Sequence, residues 1–245
     1  MSSSPLLEVR RLSRSFEKNH PILKEVSFSL SQGSWTILAG TNGSGKTVLM
    51  NHLNGLEKPD QGEVLFRGQK IRSMGDEIRR KVGLVFQNSD LQFVEQTVER
   101  ELAFGPQNLK LPKEEIRQRI EQVKDELGLE EFMNRRPHSL SGGEKKRVAI
   151  GGILAMEPEL LVLDEPFTGL DWNGVNQVLH TLIELHKKGM TILLITHDLG
   201  KCAAHADRLI LMGDGEIGMT GTVEEVLPHV EKWGVRKPEG LTWLK

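Results

Sequence analysis

The sequence predicts an α/β protein: a parallel sheet flanked by helices, interrupted by a helical insertion of roughly 65 residues and preceded by short strands. Three observations carry this. The unbroken apolar runs Leu160–Leu163 and Ile192–Ile195 have the character of strands covered on both faces, as in a parallel sheet. Between about Asn88 and Met156 the pattern turns helical, with Ile116, Ile120, Val123 and Leu127 at spacings of four, three and four. Finally, 245 residues with 38% apolar and 27% charged side chains suffice for one large domain with its own core.

The elements follow in order. Leu7-Glu8-Val9-Arg10 and Val26-Ser27-Phe28-Ser29-Leu30 alternate apolar and polar residues, which predicts two half-buried strands joined by a polar turn around Lys18-Asn19-His20-Pro21. Trp35–Ala39 is a β-prone run that ends in a glycine-rich turn. Thr47–Leu53 reads as a helix stopped by Asn54-Gly55. Gly62–Phe66 and Val82–Phe86 are strand-like, and Gly128 stands where a helix-terminating C′ glycine belongs. Val175, Val178, Leu179, Leu182 and Ile183 form a helical stripe closed by Gly189. Leu209–Met212 is a third buried strand, turning at Gly213-Asp214-Gly215, and Thr222-Val223-Glu224-Glu225 has the form of a capping box that starts a short helix.

Composition narrows the function. Thirty-two basic and 34 acidic side chains leave a net charge of −2, which gives no footprint for nucleic acid. With glycine excluded, no apolar run exceeds four residues, whereas a spanning helix needs about 20, so an integral membrane role is excluded. Met1-Ser2-Ser3-Ser4-Pro5 lacks the cationic and apolar stretches of an export signal. The single cysteine, Cys202, cannot form an internal disulfide, fits a reducing interior and reads as a small buried side chain on a helix. No His/Cys cluster has metal-ligand spacing, so a protein-ligated metal cluster is not expected. Arg79-Arg80-Lys81 and Lys145-Lys146-Arg147 read as solvated faces, with contact to a membrane partner as the alternative. Trp233 and Trp243 lie in a tail that either packs on the core or serves an interface.

The chemistry resides in two motifs. Gly40-Thr41-Asn42-Gly43-Ser44-Gly45-Lys46-Thr47 fits G-x-x-x-x-G-K-[ST] and sits between a predicted strand and a predicted helix, the setting a P-loop requires. Glycines let the backbone wrap an anion so that several N–H groups point inward, and the helix N-terminus adds partial positive charge. Lys46 supplies a point charge for β- and γ-phosphates, and Thr47 a hydroxyl for Mg²⁺. The bland alternative is a glycine-rich turn before an ordinary helix. The second motif is Leu160-Leu161-Val162-Leu163-Asp164-Glu165. Two carboxylates ending a buried strand are costly unless they have a partner or a task, and ligands collect at the carboxyl ends of parallel strands. Asp164 is expected to hold Mg²⁺ through water, and Glu165 to activate the attacking water as general base. Alone, the pair could equally open a solvated loop.

Leu140-Ser141-Gly142-Gly143-Glu144 opens an apolar helical run through Val148 and Ile150. By itself it is a capping box, worth about 1 kcal/mol of helix stability. Beside the two motifs above, it resembles the signature of ATP-binding-cassette ATPases. Further marks stand in the family's order: Gln87 at a strand end, Thr168-Gly169-Leu170-Asp171 beyond the carboxylates, and Thr196-His197-Asp198 after the next strand. The resemblance runs from about Leu7 to Leu227.

It implies a RecA-like P-loop NTPase core with an N-terminal antiparallel β subdomain and an inserted helical signature subdomain. On that pattern residues 1–245 form one ATPase domain: 1–88 and 157–227 the nucleotide-binding core, 89–156 the helical subdomain, 228–245 a C-terminal tail. Such ATPases work as head-to-tail pairs. Each ATP lies between the loop of one copy, here Gly40 to Val48, and the signature of the other, here Ser141, Gly142 and Gly143. The resemblance assigns His197 to sensing the γ-phosphate and positioning water, Gln87 to linking Mg²⁺ with the helical insertion, and Asp171 to coupling the two sites. A structural histidine is the alternative for His197. Phe16 stands where the family usually has an aromatic stacked on adenine, with a core phenylalanine as its alternative.

The segment Val82–Asn88 with Asp90 and Gln92, then Thr97-Val98-Glu99 and Ala103-Phe104-Gly105-Pro106, is similar to the ATPase subunits of energy-coupling-factor importers, including the cobalt and nickel systems. Ser89 replaces the usual proline, Glu144 the usual glutamine of the signature, and Phe167 a commonly small or polar residue. Such importers pair two ATPases, identical or different, with an integral T subunit and a substrate-capturing S subunit, and take up vitamins or transition-metal ions. The implied location is the cytoplasmic face of the membrane, as a peripheral subunit. The alternatives are the ATPase of another transporter of the class, or a soluble cassette protein that does not transport. A nucleotide kinase or GTPase on the same loop is disfavoured by LSGGE and by the lack of an N-K-x-D run.

Overall fold

Alternation of apolar and polar residues builds the first sheet. In the computed structural model, which describes residues 4–17 and 20–238, β1 (Leu7–Glu17) and β2 (His20–Leu30) pair antiparallel. β4 (Gln61–Phe66) joins the free edge of β1, and β5 (Gln69–Lys70) closes the order β2-β1-β4-β5. Of the turn expected around Lys18-Asn19-His20-Pro21, Lys18 and Asn19 lie outside the described residues, and His20 and Pro21 belong to β2 instead. β1 and β2 are each eleven residues long, well beyond the alternating stretches. Register shifts after Val9 and a left-handed Arg11 (φ 43°) explain this: bulges break the period of two while pairing continues.

The second sheet has six strands in the order β10-β9-β3-β8-β7-β6. These are β3 (Trp35–Ala39), β6 (Val82–Val85), β7 (Leu160–Asp164), β8 (Thr191–Thr196), β9 (Arg208–Gly213) and β10 (Glu216–Thr222). All pair in parallel except β10, which returns antiparallel to β9. The turn between them has Asp214 at φ 47° and Gly215 at φ 82°, the two positive angles of a type I′ hairpin.

Strand alternation divides the interior. Trp35, Ile37, Leu161, Leu163, Ile192 and Leu194 enter one core, while Leu38, Leu160, Val162, Leu193 and Ile195 enter the other. The first is covered by α3 (Val98–Asn108), α4 (Lys113–Leu127), α5 (Gly142–Leu154) and α6 (Trp172–Lys187). The second is covered by α1 (Lys46–Leu53), the short α2 (Glu77–Lys81) and the first sheet. Burial on both faces is why these strands read as unbroken apolar runs. Gly128 ends α4 in the left-handed region (φ 59°), and α7 (Val223–Val226) starts from the capping box on Thr222.

Several expectations change. Lys146 is not on a solvated face: it is buried against the end of β6, as described below. Lys81 pairs with Glu159 at 2.7 Å, while Arg79 stays exposed beside Asp76. Cys202 is fully buried as expected, but sits between two 3-10 turns, Leu199–Lys201 and Ala203–His205, rather than on a helix. Burial holds its thiol far above the ordinary range, so it is inert. Trp233 packs on the core, its ring against Gly213 and Gly218. Trp243 lies outside the described residues. Among the described residues, no helix is long and apolar enough to cross a membrane.

Candidate active site

Four strand ends, those of β3, β6, β7 and β8, assemble the site. β3 stops at Ala39 and the chain wraps through Gly40–Gly45 into α1, which starts one residue before the expected Thr47. A Cβ at Gly40 would lie 2.1 Å from the Met212 carbonyl oxygen, so only glycine lets the loop pass this close to β9. Gly45 (φ 98°) caps α1 without a side chain, leaving the helix opening to an external acceptor. Lys46 is buried and folds over its own loop, its Nζ donating to the carbonyls of Gly40 (2.9 Å) and Thr41 (2.7 Å). Burial pushes this ammonium down, while the Glu165 and Asp164 charges oppose the shift.

The carboxylates stand at the end of β7. Asp164 Oδ2 accepts a hydrogen bond from Thr47 Oγ1 at 2.8 Å, joining the two motifs. Burial pushes the Asp164 carboxyl up and the Glu165 charge adds to it, against the Thr47 hydrogen bond and the Lys46 and Lys146 charges. Glu165 has φ 44°, a left-handed conformation that costs a residue of this type about 1–3 kcal/mol and persists only where its surroundings hold it. They hold its amide and both carboxylate oxygens by hydrogen bonds. Its amide donates to the Ile195 carbonyl (2.8 Å), Oε2 accepts from Thr196 Oγ1 (3.0 Å), and Oε1 accepts from the His197 amide (2.9 Å). His197 Nδ1 lies 2.6 Å from the same Oε1.

A cleft of about 550 Å³ brings together Asn42, Gly43, Gly45, Lys46, Thr47 and Val48 of the loop with Gln87, Asp164, Glu165 and His197. Gly40, Thr41 and Ser44 do not line it; the Gly40 and Thr41 carbonyls and Ser44 Oγ (3.4 Å) accept from Lys46 Nζ. Sequence reasoning missed Ile22 and gave Thr168, named only as part of a family mark, no place in the site; both line the cleft. Thr168 carries a faint signal, a hydroxyl three residues after Glu165; Ile22 carries none, being one apolar position in a strand. Phe16 is 58% exposed, with the Arg14 guanidinium 5.3 Å from its ring, so the core alternative falls; it does not line the cleft.

The residues of the signature are elsewhere. Ser141 caps α5 in a complete capping box, Glu144 Oε2 accepting the Ser141 amide at 2.8 Å. Ser141 and Gly142 are exposed, and none of Ser141, Gly142 and Gly143 lines the cleft. Gly143 abuts α6, where a Cβ would sit 2.7 Å from Gly174 Cα. Asp171 caps α6, its Oδ1 accepting the Gly174 amide at 2.7 Å. The openings of α5 and α6 thus pack against each other within the chain, and Ser141, Gly142, Gly143 and Asp171 all lie outside the cleft lining.

A second groove, of about 530 Å³, runs between α2, α3 and α5, lined by Phe104, Ile153 and Met156, with Arg79, Arg80, Asp76, Glu101, Gln92 and Asn108 among its polar groups.

Comparison with known proteins agrees with this geometry. The sequence profile of the ABC transporter family matches residues 23–168, more than half of the chain. The chain is 45% identical over 229 residues to the energy-coupling factor transporter ATP-binding protein EcfA of Methanocaldococcus jannaschii, covering 92% of this chain and 82% of the relative. It is 45% identical over 214 residues to EcfA1 of Halalkalibacterium halodurans, covering 86% and 77%. Among solved structures, cbiO1 from Clostridium perfringens, part of the ABC transporter complex cbiONQ, superimposes with a TM-score of 0.85 at 35% identity, over 94% of this chain and 93% of that one. The ATP-binding cassette MJ0796, solved as a dimer in a post-hydrolysis state with ADP and Pi, gives 0.77 at 28% identity, over 89% and 98%.

Proposed function

The chain belongs to the ABC transporter family, and on that premise we propose how its site works: as the ATP-hydrolysing, energy-coupling subunit of an energy-coupling-factor importer, closing head to tail on a second ATPase subunit. One observation carries the reading. Lys46, Thr47, Gln87, Asp164, Glu165 and His197 converge on one cleft, with Glu165 fixed in a strained conformation by His197 and Thr196.

The loop amides and Lys46 bind and orient the triphosphate of ATP. Glu165 accepts a proton from the attacking water as its oxygen bonds to the γ-phosphorus and the bond to the β-phosphate oxygen breaks, releasing ADP and phosphate. His197 holds the Glu165 carboxylate and directs its other ring nitrogen to the γ-phosphate. The oxygen donors Thr47, Asp164 and Gln87 suit a hard divalent cation, and the Thr47–Asp164 contact of 2.8 Å places two of them together. Mg²⁺ held there would neutralise phosphate charge. Phe16, exposed on β1, is the stacking residue for adenine.

Ser141 and Gly142 face outward, with Gly143 packed on α6 behind them, so the signature serves the cleft of the second copy, with Asp171 linking the two sites. Closure is a two-state element that ATP favours because it bonds both copies only when closed. The α2–α3–α5 groove suits a cytoplasmic helix of an integral subunit, its apolar lining covered and its arginines facing the membrane partner's acidic or carbonyl groups. Its location is then peripheral, on the cytoplasmic face. The cargo, a vitamin or a cobalt or nickel ion, is chosen by the membrane subunits. Affinity purification of the tagged chain from detergent-solubilised membranes tests this: an integral membrane protein should co-purify in stable ratio, and purification of the chain alone would contradict the importer reading.

A further inference from the structure

Lys146 lies about one and a half turns beyond Ser141 on α5. Its neighbours in sequence, Lys145 and Arg147, reach partly exposed positions, whereas Lys146 is 2% exposed. Its Nζ donates to two main-chain carbonyls, Phe86 and Gln87, both at 2.9 Å. Both residues lie just past the end of β6, where Gln87 enters the cleft. The Phe86 amide is held in turn by Gln92 Oε1 at 3.3 Å. No salt bridge among the described residues involves Lys146; Asp164 attracts it at longer range.

A buried ammonium without a close counter-ion is expensive. An aliphatic side chain would fill the same space at no such cost, so the cation is there for what it grips. It grips the backbone that carries Gln87, from the helix that opens at Ser141. We infer that Lys146 is a positioning residue for ATP hydrolysis: it fixes the Gln87 main chain to α5, so that Gln87 keeps its place in the cleft and moves with the signature helix. The inference rests on the roles proposed above for Gln87 and Ser141, and deepens them.

A double-mutant cycle separates this from a structural role. Lys146→Met keeps the stem and removes the donors. It should bind ATP within about twofold of the parent by calorimetry, while kcat falls about 10- to 100-fold, the range a small misplacement in a site produces. KM should stay nearly unchanged, and amide hydrogen exchange over residues 86–92 should accelerate. Gln87→Ala should lower kcat similarly, and the double variant should be no worse than the weaker single. Should Lys146→Met fail to fold, Lys146→Gln enters the same cycle. A Lys146 variant that turns over at the parent rate, leaves exchange over 86–92 unchanged, or multiplies its effect with that of Gln87→Ala overturns the inference alone. A fully active Gln87→Ala instead removes the Gln87 role beneath it.

Discussion

At the scale of residues, spacing revealed the loop and the carboxylates because their chemistry demands fixed residue types at fixed separations. Thr47 and Asp164, far apart in sequence, meet at 2.8 Å. Lys146 stayed hidden because a Lys-Lys-Arg run looks solvated until the fold shows which member turns inward; burial then pushes its ammonium down to about 8. Asp164 illustrates what the site costs. Burial raises its folded pKa above the unfolded value, so the ionised carboxylate opposes folding at neutral pH. The cost is fully present above the folded pKa and disappears as pH falls below the unfolded value of about 4. Asp164→Asn should therefore raise the apo-protein Tm by roughly 2–4 °C at pH 7, about 1 kcal/mol for a domain of this size. The gain should shrink toward pH 4, while Mg²⁺-dependent ATP hydrolysis is lost. A Tm that falls at pH 7 on thermal denaturation would contradict it.

Elements differ in how far pattern alone exposes them. β7 and β8 were legible as apolar runs because both faces are buried, and α4 because its stripe is regular and Gly128 ends it. β1 was legible only to Arg10, where bulges spoil the alternation, and α2 is too short at five residues to show a period. β10 was missed because Gly218 and Gly221 interrupt it. Gly218 falls at a register shift between Ile217 and Met219, and a Cβ there would lie 1.8 Å from the Trp233 ring. The bare glycine is the seat for Trp233, which docks the segment Leu227–Trp233 on the sheet. Gly218→Ala should cost about 1–3 kcal/mol by overpacking. Combined with Trp233→Ala, the loss should be smaller than the sum of the two single losses; thermal denaturation of the single and double variants decides, and strictly additive losses would sink the contact.

The whole molecule is two cores divided by one sheet, with the cleft where that sheet meets the loop and α1. Its resemblance to a family was legible because five marks stand in order; what the sequence could not display is that Ser141 and Gly142 point away from their own chain's cleft. Under the proposed function, that separation leaves one copy unable to enclose ATP and is the physical basis for a paired machine. The most direct test is the light-scattering mass of the Glu165→Gln variant with Mg²⁺ and ATP. Trapped nucleotide should hold it as a dimer, and adding Ser141→Arg to the same chain should return the monomer mass while calorimetry still records ATP binding. A Glu165→Gln chain that binds ATP yet stays monomeric, or a Ser141→Arg substitution that leaves the dimer intact, would contradict the shared site.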